Sequence, residues 1–182
     1  MQHMDPMSHK LRSLIPAWVQ GRLQPLDKLE VHRLGLRHPA ISVFVTDGPR
    51  ILLQRRALTK YHTPGLWTNT CCTHPHWNEP LADCARRRLQ EELGIDGLDL
   101  RDMGEIEYRA DVGQGLTEHE LVRVYRAEGG PDLAMSPDPE EVAETAWMDL
   151  DALEDRIARN PADFTPWLRI YLREHRTMIF GP

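Results

Sequence analysis

A mixed α/β sandwich, with a mixed sheet between layers of helices, is the fold class this chain predicts, and three observations predict it. Residues 40–46 (AISVFVT) and 50–54 (RILLQ) are apolar, β-rich runs on either side of the turn signal Asp47-Gly48-Pro49. Residues 79–93 repeat apolar side chains near the 3.6-residue period and stop at Gly94. Strand-like and helix-like stretches come in blocks: strands, one helix, strands, then terminal helices. That order is not the regular alternation of a doubly wound sheet.

Taken along the chain, residues 1–27 form an N-terminal lead to which no element is assigned. Met1–Lys10 is polar, holds three methionines, and is expected to be disordered or foreign to the native chain. Residues 28–182 are expected to form a single domain. Residues 40–46 and 50–54 make a hairpin, and residues 57–66, containing Pro64-Gly65, make a loop. In the helix at 79–93 the residues Leu81, Cys84, Ala85, Arg88, Leu89 and Leu93 share the spacing, and Pro80 sits near the first turn, where proline is tolerated. Residues 98–108 and 119–127 read as strands, with Gly113-Gln114-Gly115 between them. Residues 129–139, with three prolines, read as a surface loop. A further strand is expected at 142–148, and helices at 150–159 and 166–175.

The bulk numbers narrow the function classes. A length of 182 residues suits one domain, and 41% hydrophobic residues suffice for a core. A net charge of −6 argues against nucleic acid as a partner. The cations nonetheless cluster: Arg55, Arg56, Lys60, Arg86, Arg87 and Arg88 bracket residues 67–75, which suits a small anionic ligand. Three cysteines, two of them adjacent, do not make a disulfide framework, so a reducing compartment is expected. No apolar run approaches the roughly 18 residues of a membrane span, and no signal-peptide pattern is present. The expectation is a cytoplasmic monomer.

Chemistry concentrates in Trp67-Thr68-Asn69-Thr70-Cys71-Cys72-Thr73-His74-Pro75 and the helix behind it. A thiol two residues from an imidazole suits acid–base or metal chemistry. A helix that mixes Glu79, Arg87, Arg88, Glu91 and Glu92 suits a metal–phosphate site. Each feature also has a plain structural reading: a solvated amphipathic helix with i,i+4 pairs, small buried cysteines, surface histidines.

The helix resembles the box of the Nudix family, G-x5-E-x7-R-E-U-x-E-E-x-G-U with U a bulky apolar residue. Here the box runs Thr73, Glu79, Arg87, Arg88, Leu89, Glu91, Glu92, Gly94, Ile95, and departs from the pattern at Thr73 (for glycine) and Arg88 (for glutamate). The resemblance implies a Nudix-type α/β/α sandwich, while the departures speak against metal-assisted hydrolysis. Arg55-Arg56-Ala57, Pro64-Gly65-Leu66-Trp67-Thr68-Asn69 and Cys72-Thr73-His74-Pro75 precede the degenerate box in order. With it they resemble the type I isopentenyl diphosphate isomerases over residues 28–167.

That resemblance implies interconversion of isopentenyl and dimethylallyl diphosphate, in isoprenoid biosynthesis, through a tertiary carbocation. It implies Cys72 as the catalytic thiol, with Cys71 facing away as a strand neighbour must, and Cys84 in the core. It implies a Mn²⁺ or Zn²⁺ (or Mg²⁺) site of His32, His38, His74, Glu118 and Glu120, and a Mg²⁺ held with the diphosphate by Glu92. Lys28, Arg56, Lys60 and Arg88 hold the diphosphate; Arg55 and Arg87 are structural or assist. Glu120, assisted by Tyr108, is the expected forward proton donor, and Cys72, as thiolate, the acceptor. Trp167 faces the cation and Trp67 belongs to the core or pocket wall. His3, His9, His62, His76, His119 and His175 are expected to be surface residues. Two other classes remain to be separated: a Nudix hydrolase of nucleoside diphosphate derivatives, and a non-catalytic Nudix-like binding module.

Overall fold

The computed structural model describes residues 14–182; the lead over 1–10, with His3 and His9, lies outside the described residues. The described residues open with a hairpin, β1 (Leu14–Val19) and β2 (Arg22–Asp27), turning through Gln20-Gly21. Helix α1 (Lys28–Leu34) follows at once, because the Asp27 carboxylate accepts hydrogen bonds from the Leu29 and Glu30 N–H groups at 3.0 and 3.2 Å. Ile15 and Ala17 pack on Val31 in a small cluster of their own. None of this was readable in the sequence: β2 is solvated along nearly all its length, so it carries no apolar alternation.

The main sheet has seven strands: β3 (His38–Asp47), β4 (Arg50–Arg56), β5 (Trp67–Thr68), β6 (Cys71–Thr73), β7 (Arg101–Gly113), β8 (Leu116–Glu128) and β9 (Val142–Asp149). It is mixed, since β3 and β8 run parallel and every other pair antiparallel. β7 and β8 join through Gln114-Gly115, both at positive φ, as a two-residue hairpin requires. Both strands are longer than their apolar runs suggest.

The β3–β4 hairpin is splayed. The two strands pair only at Thr46–Ile51 and Asp47–Arg50, and residues 67–73 wedge between them, β5 on β4 and β6 on β3. Thr70 stitches the apex: its hydroxyl accepts from Val45 N–H at 2.9 Å and donates to the Leu52 carbonyl at 2.6 Å. The Cys/His segment is thereby built into the sheet.

Period-two alternation sends the two faces of the sheet to different layers. Ile41, Val43, Val45, Leu52 and Cys71 meet α2 (Leu81–Leu93) through Cys84, Ala85, Leu89 and Leu93. Phe44, Leu53, Val122 and Val124 meet α3 (Leu150–Arg159) and α4 (Pro166–Phe180) through Leu153, Leu168, Tyr171 and Ile179. Helix α2 ends at Gly94 (φ +64°), where an added Cβ would lie 2.8 Å from Ser136; only glycine fits there. Among the described residues no helix is long and apolar enough to cross a membrane.

Candidate active site

Three imidazoles and two carboxylates meet between α1 and the sheet. β8 contributes Glu118 and Glu120, which alternation turns to the buried face while His119 turns out toward Glu107. α1 brings His32, the start of β3 brings His38, and the residue after β6 is His74. All five are buried. The tautomers of two are set from behind: Nδ1–H of His32 donates to the Lys28 carbonyl at 2.5 Å, and Nδ1–H of His38 to the Leu36 carbonyl at 2.7 Å. Both Nε2 atoms are left facing the cluster. His38 Nε2 lies 3.1 Å from His74 Nε2, which lies 2.8 Å from Glu120 Oε1.

His32 Nε2 and Glu118 Oε2 stand 3.0 Å apart, yet both are buried polar atoms without a hydrogen-bond partner. One donor atom from each of His32, His38, His74 and Glu118 falls within 4.8 Å of all the others. Imidazole and carboxylate donors that converge so closely fit a divalent cation of borderline softness in place of the protons between them. The electrostatics point the same way. Burial pushes His38 down, but Glu118 and Glu120 outweigh it and raise it to about 9. Burial pushes Glu118 up, and the three histidines hold it well below the usual carboxylate range. The cluster attracts positive charge.

Cys72 sits beside this cluster in the same pocket. It turns toward the α3/α4 side of the sheet and Cys71 toward α2, as neighbours in a strand must. The Cys72 thiol donates to Asn69 Oδ1 at 3.1 Å and lies 3.1 Å from Ser42 Oγ. Burial pushes the thiol up to about 12, against these two contacts. The surroundings therefore favour the thiol, whereas the sequence reading expected a thiolate. Tyr108 donates to Glu120 Oε2 at 2.6 Å, so its hydroxyl extends that carboxylate's reach. The Trp167 ring forms a wall, with the Arg56 guanidinium 5.5 Å from its centre.

The other end of the pocket is cationic. Lys28, Arg56, Lys60 and Arg88 all line it, with Glu92 among them. Arg88 is surrounded by acids: it donates to Glu92 Oε1 at 2.5 Å, to Glu91 Oε2 at 2.9 Å and to Glu141 Oε2 at 3.2 Å. Lys60 donates to the same oxygen of Glu141. Glu92 is 5% exposed, so its pair with Arg88 is no surface decoration; Gln54 Nε2 holds its second oxygen at 2.8 Å. The Nudix-box glutamate position, being Arg88, neutralises the helix's acids instead of adding to them. Burial lowers Lys28 to about 8, against the pull of Glu118.

The fold brings every site residue named from the sequence to this one region, with His32 and His38 behind the pocket wall. Arg87 belongs elsewhere: it pairs with Glu79 and Glu91. Arg55 binds the Gly65 carbonyl, and Trp67 and Cys84 are core. Three neighbours were not anticipated. His62, expected at the surface, is 4% exposed and stands 3.4 Å from Glu118 Oε1, because Pro64-Gly65 folds its loop back over the cluster. Tyr61 precedes it in the pocket rim. Glu141, in the loop before β9, had no motif to announce it.

The NUDIX domain family model matches residues 36–168. The chain is 63% identical to the isopentenyl-diphosphate Delta-isomerase of Rhodobacter capsulatus over 93% of this chain and 96% of that one. It is 61% identical to the enzyme of that name from Cereibacter sphaeroides, over 94% and 97%. Among solved structures, a Deinococcus radiodurans protein superposes with a TM-score of 0.62 at 17% identity, covering 74% of this chain and 80% of that one. A MutT NUDIX hydrolase from Burkholderia pseudomallei gives 0.57 at 22%, covering 76% and 98%. At those identities the structures speak to the fold alone.

Proposed function

This chain belongs to the Nudix family, and within it to the isopentenyl-diphosphate Delta-isomerases; on that premise we propose that Cys72 and Glu120 carry the two proton transfers of its reaction. The enzyme interconverts isopentenyl and dimethylallyl diphosphate. One proton is added to the terminal alkene carbon, a tertiary cation forms at the neighbouring carbon, and a different proton leaves from the next carbon along. Two groups in one pocket are needed, one to give and one to take. Because the reaction is reversible, each serves as acid in one direction and base in the other.

The observation that carries this reading is the placement of Cys72 and Glu120 in one pocket that the Trp167 ring also lines. The ring face stabilises a desolvated cation by about 2 kcal/mol or more. Tyr108, bonded to Glu120, completes a proton path on that side. Lys28, Arg56, Lys60 and Arg88 hold the diphosphate. The enclosed volume is only about 80 Å³, small beside the ~300–1,000 Å³ of drug-sized ligand sites.

His32, His38, His74, Glu118 and Glu120 would hold Mn²⁺, Zn²⁺ or Mg²⁺, and Glu92 a Mg²⁺ shared with the diphosphate. Such ions supply positive charge that fixes the carboxylates and neutralises the phosphates. The hydrolase alternative requires the acids of an intact Nudix box, and here an arginine, Arg88, stands where the box has a glutamate. Incubation with isopentenyl diphosphate and Mg²⁺ should yield dimethylallyl diphosphate with no pyrophosphate release. Cys72→Ala should abolish that conversion while pyrophosphate binding persists. Turnover retained in Cys72→Ala would remove the thiol from the pair.

A further inference from the structure

The segment Pro64-Gly65-Leu66-Trp67-Thr68-Asn69 forms part of the site, yet proton transfer, metal and diphosphate leave Thr68 without a role. We propose that Thr68 is a positioning residue for the isomerisation, its single hydroxyl fixing the Trp167 ring and the Cys72 thiol relative to one another. The proposal rests on the roles given above to those two residues.

Donors and acceptors determine the direction of each hydrogen bond. The indole Nε1–H of Trp167 can only donate, and it reaches Thr68 Oγ1 at 2.8 Å. The Thr165 hydroxyl donates to the same oxygen at 3.2 Å. Thr68 has one proton to give, and its acceptor is Asn69 Oδ1 at 3.1 Å. The Asn69 amide cannot be reversed: its Nδ2 faces the Val43 carbonyl at 2.9 Å, the Cys71 carbonyl at 3.1 Å and Ser42 Oγ at 2.9 Å. A flipped oxygen would face two carbonyls. Oδ1 is therefore fixed toward Thr68, and it also receives the Cys72 thiol at 3.1 Å. Ser42, having accepted from Asn69, turns its own proton to Cys72 Sγ at 3.1 Å.

The result is one chain of contacts, indole to hydroxyl to amide to thiol, that crosses from α4 to the wedge segment. Apart from Cys72, which is half-buried, its members are close to fully buried: Thr68 is 1% exposed, Asn69 and Ser42 0%, Trp167 3%. In such a dry site the loss of one link is not made good by solvent. The wedge supplies the rigidity, since Thr68 pairs with Gln54 and the Thr165 N–H bonds the Trp67 carbonyl at 3.0 Å. Reacting groups displaced by about 1 Å cost on the order of 10²-fold in rate. A residue that holds both the ring that faces the cation and a proton carrier acts on kcat, because neither contact involves the diphosphate.

Thr68→Val keeps the shape and removes the hydroxyl; Thr68→Ser keeps the hydroxyl and removes a methyl. Steady-state turnover of isopentenyl diphosphate is measured for both, with pyrophosphate binding and thermal unfolding as controls. The expected result is a loss of about 10–100-fold in kcat for Thr68→Val, with KM and pyrophosphate affinity unchanged and kcat restored in Thr68→Ser. In a Trp167→Phe background, where the indole donor is gone, Thr68→Val should cost less than it does alone. Thr68→Ala, which adds no bulk, serves if Thr68→Val does not fold. Wild-type kcat in the hydroxyl-free variant overturns the proposal. So does equal impairment of the valine and serine variants, or strict additivity with Trp167→Phe. Full turnover in Cys72→Ala would instead overturn the assignment of the thiol, whatever Thr68 does.

Discussion

At the imidazole end of the pocket, buried imidazoles and carboxylates converge on one another; at the cationic end, two of the four cations, Lys60 and Arg88, are already held by carboxylates. His32 Nε2 and Glu118 Oε2 have no hydrogen-bond partner, while Arg88 engages three carboxylates and Lys60 shares one of them. Buried polar atoms left unpaired are costly, so a cation among these donors would stabilise the first end. At the second end Glu141 competes with any diphosphate for Lys60 and Arg88. The first end suits an ion that stays in place, the second a ligand that comes and goes.

The largest effects should come from the residues between the two ends. Cys72→Ala and Glu120→Gln should each lower kcat by about 10²–10⁴-fold, with Glu120→Gln also weakening the metal. Cys71→Ala should leave turnover near wild type, because Cys71 faces α2. Loss in Cys71→Ala with near-normal Cys72→Ala would reverse the choice of thiol.

Removing the resident metal should break the comparison thermodynamically. An ion present at a thousandfold its Kd stabilises the fold by about 4 kcal/mol, so chelation should lower Tm and Zn²⁺ or Mn²⁺ should restore it. Glu118→Gln should abolish most of that metal-dependent shift. An unchanged Tm on chelation would mean that the cluster is satisfied by protons alone.

At the exchangeable end the effects are smaller and opposite in sign. Glu92→Gln should raise the Mg²⁺ needed for half-maximal turnover by on the order of tenfold, without releasing the metal of the His/Glu cluster. Glu141→Gln removes the competitor for Lys60 and Arg88 and should tighten pyrophosphate binding by about fivefold, or roughly 1 kcal/mol. Calorimetric titration reads both. Weaker pyrophosphate binding in Glu141→Gln would make that carboxylate a splint for the two cations.

The smallest effect separates a structural ion pair on α2 from the functional one beside it. Burial pushes Glu79 up, but Arg87 and the His76 N–H outweigh it and hold the carboxyl at about 2, against 4.5 unperturbed. A carboxyl with a lowered folded-state pKa contributes stability above its unfolded pKa. That contribution is lost as pH falls from 4.5 toward 2. The Tm difference between wild type and Glu79→Gln should therefore be constant from neutral pH down to about 5 and shrink below it. Turnover at neutral pH should not depend on Glu79 beyond this.

The sequence by itself determined the elements with a long period. Apolar residues at helical spacing over 79–93 announced α2, and the strand expected at 119–127 fell within β8, which begins earlier, at Leu116, and so turns Glu118 and Glu120 to one face with His119 on the other. The motif order determined which residues belong to one site. Tertiary structure decided what short or solvated segments do. β5 and β6 are two and three residues long and carry no period, so only the splayed β3–β4 hairpin makes a wedge of residues 67–73 and joins Thr68 and Asn69 to Cys72. The burial of His62, the seat of Glu141 between Lys60 and Arg88, and the thiol state favoured at Cys72 all arise from loops and strands that meet across the fold. Distance and desolvation set those properties, and neither is written in local spacing.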